Sequence, residues 1–422
     1  MTKKLLTIQH FMTLCFLGFF IGQFFISDFQ AFASSSMLIM GLSSLYYIIK
    51  SKKKITFSQF YPLLFFIFPI FLQLAQYGMT EVGNEPYYKH ALELKALFFI
   101  FPVTLSFLPG IERKHFFTVL YVVFLITVLF SLGLLINYFF HFKEVNISYM
   151  YSKIMPIRIN HIRYSLMVTS AIFSAFYLLK KKFEWKYKWE RNVILGGAIF
   201  LIIFLHIFSV RSGLVSFYIM GVLYGTYYSF KNKKYLLIAC LHTVIFLVPV
   251  IAYVSMPTFK NKMTNTLNDI AACNQQESAN QYSLAGRVYA YKVSQQVFFE
   301  SPWLGVGVGN YKARINEAYT GSFPLIHKDQ YKLTHNQFFR YAISYGILGL
   351  IVFVLCFYYP LFYAKNYLQC SFLIMHYGIV TLSFLVEDTL NTTHGQYYAM
   401  GYIFLCFSFI KGLRGKQKSE SN

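Results

Sequence analysis

Three short segments set basic or proton-accepting side chains against long apolar runs. Arg211 stands in FSVRSGLVSF between two such runs, Arg287 in AGRVYAYK, and His335 in LTHNQFFRYAISYGILGL where another run begins. An ionisable residue at the edge of a membrane is costly unless it pairs or faces a cavity. Arginine also grips phosphate groups through its planar fork of donors. Snorkelling to lipid phosphates is the plain alternative for Arg211, although an arginine wedged between abutting runs has little freedom to do it. Arg158, His161 and Arg163 form a further basic group before another run, and Asn336 and Arg340 flank His335. Singly, Arg287 reads as a solvated charge and His335 as a structural residue at a helix start. Arg340 can also snorkel or pair with Glu387 or Asp388. Together these cations suit a phosphate or pyrophosphate group.

Other chemistries find no support. There is no HExxH or CxxC motif, and His327 lies eight residues from His335 in an expected loop, so no metal site is expected. No motif places two carboxylates as glycoside hydrolysis would require. Gly305, Gly307 and Gly309 resemble part of a dinucleotide fingerprint, but position 310 is Asn and the preceding segment reads as helix. These glycines read instead as a turn in which the backbone approaches the membrane or a ligand closely. No cofactor is expected.

The elements that must position these residues are membrane helices. Of 422 residues, 56% are hydrophobic and only 13% charged, against about 25% charge in soluble domains. Runs such as FFTVLYVVFLITVLFSLGLLINYFF exceed the ~20 residues that cross a bilayer. Twelve such runs are expected near residues 9–26, 31–49, 59–77, 92–108, 115–140, 161–179, 192–209, 211–229, 235–254, 335–363, 367–386 and 396–412. The expected fold is an all-α polytopic membrane protein of about twelve transmembrane helices. Residues 1–254 would hold helices one to nine, residues 255–334 one long external loop, and residues 335–422 helices ten to twelve and a cytoplasmic tail.

The net charge of +22 does not indicate nucleic acid. Its lysines and arginines sit in tight clusters between runs, such as KSKKK, KKKFEWKYKWER and FKNKK. With a cytoplasmic N-terminus, alternate connections collect 22 of the 38 basic residues but only four of the 16 acids, which is the positive-inside pattern. Both termini are therefore expected in the cytoplasm. The first run, followed by Ala31 and Ala33, is read as a retained helix rather than a cleaved signal peptide. Two connections on the other side are long: the basic loop 141–160, and residues 255–334. In the second, LAGRVYAYKVSQQVFFE reads as an amphipathic helix carrying Val288, Tyr291, Val297 and Phe298 on one face, SPWLGVGVGN as its stop, and YKARINEAY as another short helix.

RSGL after one run, then AGRVYAY, SPWLGVGVGNY and THNQFFRYAISYGILGL before another resemble, in that order, the bacterial O-antigen ligase family and its related polymerases and O-oligosaccharyltransferases. The resemblance covers roughly residues 200–360; Arg158, His161 and Arg163 are not carried by it. It implies transfer of a glycan from an undecaprenyl-pyrophosphate donor to an acceptor hydroxyl outside the bacterial inner membrane, without metal and with inversion. It further implies that Arg211 and Arg287 hold the pyrophosphate and that His335 is the catalytic base. Lipid A–core would be the acceptor for a ligase and another lipid-linked glycan for a polymerase. A lipid-linked glycan flippase or other transporter is the competing class, but no internal repeat is evident and the candidate residues lie at one face.

Overall fold

The computed structural model describes residues 2–51, 61–151, 153–363 and 370–420, and every regular element among them is helical. Inside lipid no water can satisfy peptide groups, so an apolar run must bond its own N–H and C=O groups, and a helix does this within one segment. In chain order the first runs form α1 (Thr2–Phe24), α2 (Ala31–Ser51), and a third run split into α3 (Tyr61–Leu64), a 3₁₀ turn and α4 (Phe68–Ala75). Next come α5 (Glu85–Lys95), which continues into α6 (Leu97–Phe107), then α7 (Arg113–Phe140) and the short α8 (Phe142–Met150). The chain proceeds through α9 (His161–Lys180), α10 (Glu190–Phe208), α11 (Arg211–Lys231) and α12 (Tyr235–Ser255). The long insertion contributes α13 (Pro257–Ala272), α14 (Ser283–Glu300) and α15 (Tyr311–Ser322), before α16 (Gln337–Tyr363), α17 (Ser371–Val386) and α18 (Thr393–Glu420).

Among the described residues, seven helical stretches are long and apolar enough to cross a membrane: Ala31–Lys50, Glu85–Phe107, Arg113–Phe140, His161–Lys180, Glu190–Phe208, Ile238–Ser255 and Gln337–Phe362. The protein is thus multi-pass. Ile8–Phe24, Phe65–Met79 and Ser371–Val386 are apolar but shorter. Helices α11 and α18 meet neither description; α11 is diluted by Tyr, Gly and Ser, and α18 ends in a lysine-rich tail. Among the described residues, length and composition thus support seven such stretches, and the expected count of twelve is not confirmed. The lysines at 52–54, Lys365, and the edges of the third and eleventh expected runs lie outside the described residues.

The helix connections gather at two ends. At one end the α8 hydroxyl of Tyr149 donates to Phe208 O at 2.8 Å, Asn265 of α13 donates to Tyr149 O at 2.6 Å, and Thr258 donates to Ile207 O at 2.7 Å. These bonds join segment 141–160, the α10–α11 turn and the long insertion. Segment 141–160 is thus not all loop, since α8 packs against α13. The tight turn between α10 and α11 is made by Ser209, whose left-handed backbone (φ 49°) ends α10. At the other end Lys411 donates to the carbonyls of Leu105, Ser106 and Leu108 at 2.7–2.9 Å, closing the C-terminus of α6.

Two expectations for the long insertion need correction. The buried side of α14 is Ala285, Gly286, Tyr289, Ala290, Val293, Ser294 and Val297, whereas Val288, Tyr291 and Phe298 are only partly buried. The reason is that α14 packs Tyr289, Val293 and Val297 into a second core with Tyr311, Ile315 and Tyr319 of α15. The run 335–363 is also not one continuous helix. Gly346 adopts φ 68°, ψ −175° and breaks α16. Into the break fits the Pro302–Gly309 segment: Val306 N donates to Ile343 O (2.9 Å), Gly307 N to Ser344 O (3.1 Å) and Ile347 N to Pro302 O (2.8 Å). The Gln76 amide donates to both Leu304 O and Ser344 O at 3.0 and 2.9 Å. A Cβ at Gly305 would collide with the backbone of Ser344, and one at Gly346 with that of Trp303. Gly305 and Gly346 therefore let backbone meet backbone across the broken helix, while a Cβ at Gly309 would strike the Thr80 side chain.

Candidate functional site

Helices α9, α11, α14 and α16 all begin at the end that holds the long insertion, with His161, Arg211, Ser283 and Gln337 as their first residues. A helix N-terminus carries partial positive charge, so acids are favoured there and bases are not. Each of these starts has a basic residue in or beside its first turns: His161 and Arg163 on α9, Arg211 on α11, Arg287 on α14, and His335 just before α16. Local preference is violated in one sense four times. Such consistent conflict is what a functional anion site produces.

Capping fixes where these side chains lie. The Asn160 side chain accepts from the amides of Ile162 and Arg163 at 3.0 and 3.1 Å, starting α9 with Arg163 facing inward. Asp269, at the end of α13 and 2% exposed, accepts from the amides of Leu284 and Ala285 at 2.8 and 2.9 Å. Arg211 Nη2 lies 3.7 Å from the same carboxylate. Asp269 thereby ties α11 to the start of α14, and Arg287 follows within the next turn.

Glu387, 6% exposed at the end of α17, forms the second junction. Its Oε1 accepts from Arg287 Nη2 at 2.7 Å, while its Oε2 lies 3.3 Å from His335 Nδ1 and 3.9 Å from Arg163 Nη2. Arg163 also donates to Thr389 Oγ1 at 3.0 Å. Burial pushes the Glu387 carboxyl up, but His335, Arg163 and Arg287 outweigh it and hold the group below the usual glutamate value. With Nδ1–H donating to this carboxylate, the Nε2 of neutral His335 carries the lone pair. His161 lies within electrostatic reach of Lys262, Glu387, Arg287 and Arg163.

The structure therefore brings together Arg211, Arg287, His335, His161 and Arg163. It places the other three candidates elsewhere. Arg158 is largely exposed and pairs with Asp28 at 3.6 Å. Asn336 caps α16, accepting from Phe339 N at 3.0 Å. Arg340 is buried against Tyr311, 3.4 Å from its ring centroid, and donates to the Tyr87 hydroxyl at 2.9 Å. Asp388 interacts most strongly with this Arg340, and burial raises its carboxyl above the usual value. His327 is exposed and its side chain joins none of these groups.

Asp269, Glu387, Lys262 and Lys332 belong to the same cluster although sequence reading did not select them for it. Only Glu387 left a readable signal: with Asp388 it is the sole adjacent pair of acids in the chain, placed where an apolar run ends.

Fold and site together define a multi-pass, all-α membrane protein with a cationic cluster built from the starts of several helices. Residues 196–354, less than half of the chain, match the family model described as O-antigen ligase, which supports a relation to that family. The matched span runs from α10 into α16 and includes Arg211, Arg287 and His335, while Arg163 and Glu387 fall outside it. No match was found among curated proteins.

Proposed function

We propose that the protein transfers a glycan from undecaprenyl pyrophosphate to a hydroxyl of lipid A–core, at the periplasmic face of the bacterial inner membrane, in lipopolysaccharide biosynthesis. The observation that carries this reading is the convergence of Arg211, Arg287 and His335, all within the family-matched span, on the carboxylates Asp269 and Glu387.

Arg211 and Arg287 bind the donor pyrophosphate. His335 Nε2 takes the proton from the acceptor hydroxyl, whose oxygen bonds to the anomeric carbon. The bond from that carbon to the phosphate oxygen breaks and its electron pair leaves with the pyrophosphate, whose charge grows by one. One displacement inverts the anomeric configuration. The arginines stabilise the growing charge, so the reading assigns no metal or nucleotide. Glu387 holds His335 in the tautomer that leaves Nε2 unprotonated, as a carboxylate orients a catalytic histidine in hydrolases. The match to a family described as O-antigen ligase supports ligation over polymerisation.

The test is to incubate purified full-length protein with polyprenyl-pyrophosphate glycan and lipid A–core, without nucleotide or metal. A glycan–lipid A conjugate is expected. Longer lipid-linked glycans in its place would reassign the protein as a polymerase, and no transfer at all would refute the reading. A positioned base contributes ~10²–10⁴-fold, so His335→Ala should lose at least ~10² in kcat while still binding donor. His327→Ala should keep near-native turnover; its collapse would move the base there.

A further inference from the structure

Five cations, Arg163, Arg211, Lys262, Arg287 and Lys332, share the cluster with two carboxylates, Asp269 and Glu387. Both carboxylates are already engaged: Asp269 by Arg211 and two helix-start amides, Glu387 by Arg163, Arg287 and His335. An excess of three positive charges remains. Four helix N-termini add to it with the same sign.

Lys262 and Lys332 are the surplus. Lys262 projects from α13 and is half-buried, within electrostatic reach of Arg211, Asp269, Arg287 and His161. Lys332, in the segment before α16, is half-buried beside Gly286, where a larger residue would strike its ammonium, and lies within reach of Arg287 and Asp269. Among the described residues neither ammonium has a hydrogen bond or a carboxylate at ion-pair distance. Burial, then Arg211 and Arg287, push the Lys262 ammonium down to about 8 against the pull of Asp269. Burial, followed by Arg287, lowers Lys332 as well. A half-buried ammonium facing arginines with no anion of its own is destabilising, and proteins retain such groups where a ligand supplies the missing charge.

Resting on the pyrophosphate reading above, we infer that Lys262 and Lys332 are two further ligands of the donor's pyrophosphate, contacting it alongside Arg211 and Arg287. The charge matches: a pyrophosphate diester carries two negative charges and the departing monoester about three at full ionisation, which is the excess counted here. Lysine is suited to this share of the work because its ammonium is a point charge on a flexible stem and can follow the phosphate as it leaves.

A binding role and a structural role predict opposite signs. If these lysines serve only to hold the fold, Lys→Gln should lower the unfolding temperature of the empty protein and leave ligand affinity alone. If they bind pyrophosphate, Lys262→Gln and Lys332→Gln relieve repulsion, so the empty protein should melt at the same temperature or higher. Affinity per folded molecule for geranylgeranyl pyrophosphate, measured on full-length protein in lipid nanodiscs, should fall about tenfold or more in each, the size of one charge-assisted hydrogen bond. Lys262→Arg and Lys332→Arg, which keep the charge, should bind within about threefold of wild type. Unchanged affinity in both Gln variants overturns the inference. Arg211→Gln and Arg287→Gln in the same assay separate the two levels. If they lose binding while the lysine variants keep it, only the lysine assignment fails; if they too bind normally, the pyrophosphate reading fails with it.

Discussion

Glu387 meets Arg163, Arg287 and His335, side chains separated by as many as 172 positions in the chain, through its two carboxylate oxygens. Glu387→Gln keeps the shape and removes the charge. Turnover should drop by at least ~10²-fold as His335 loses its orienting partner. Because the native carboxyl is held below the usual glutamate value of ~4.3, its contribution to stability is complete above that value and disappears as pH falls through the lower native one. The difference in unfolding temperature between wild type and Glu387→Gln should therefore be largest near neutral pH and shrink on acidification; a constant difference would refute the ionic role. Arg211, Arg287 and His335 were legible in sequence because each stands in a short motif next to an apolar run. Their carboxylates were not, since Asp269 lies 58 residues from Arg211 and Glu387 lies 52 from His335, with no local spacing to join them.

At the scale of elements, apolar runs announced their helices, because lipid leaves a backbone no other economical way to bond itself. Breaks inside the runs were less visible. Gly346 sits in an ordinary apolar sequence, and only the distant Pro302–Gly309 segment explains why α16 opens there. Its backbone (φ 68°, ψ −175°) lies in a region essentially reserved for glycine and costs any other residue about 1–3 kcal/mol before steric conflict with Trp303 is added. Gly346→Ala should destabilise the protein by at least ~1–3 kcal/mol and increase hydrogen exchange at the amides of Val306 and Gly307, which bond across the break. Protection retained at both amides would show that the junction tolerates a side chain. At the opposite end Lys411 bonds three carbonyls that end α6, where a cation complements the helix dipole. Lys411→Met should lower stability by about 1.5–3 kcal/mol in a thermal melt while leaving donor affinity unchanged, since the site is at the other end of the bundle.

For the whole molecule, the orientation expected from the charge distribution can be measured directly. Ser283 is exposed at the start of α14. With the long insertion outside the inner membrane, Ser283→Cys should react with an impermeant thiol reagent in intact spheroplasts, above the background of wild type. Reaction only after lysis would invert the topology. The order in which Glu387 is synthesised has a biosynthetic corollary. Arg163 leaves the ribosome more than 200 residues ahead of its carboxylate, and Arg287 leads by 100. During that interval Arg163 and Arg287 lack the carboxylate they share, so α9 cannot be drawn to α14 as in the finished protein, although Asp269 can already join α11 to α14. Completion of the cluster therefore waits on the end of α17, and a chain halted before that point would lack the junction among Arg163, Arg287 and His335 however many of its helices had entered the bilayer.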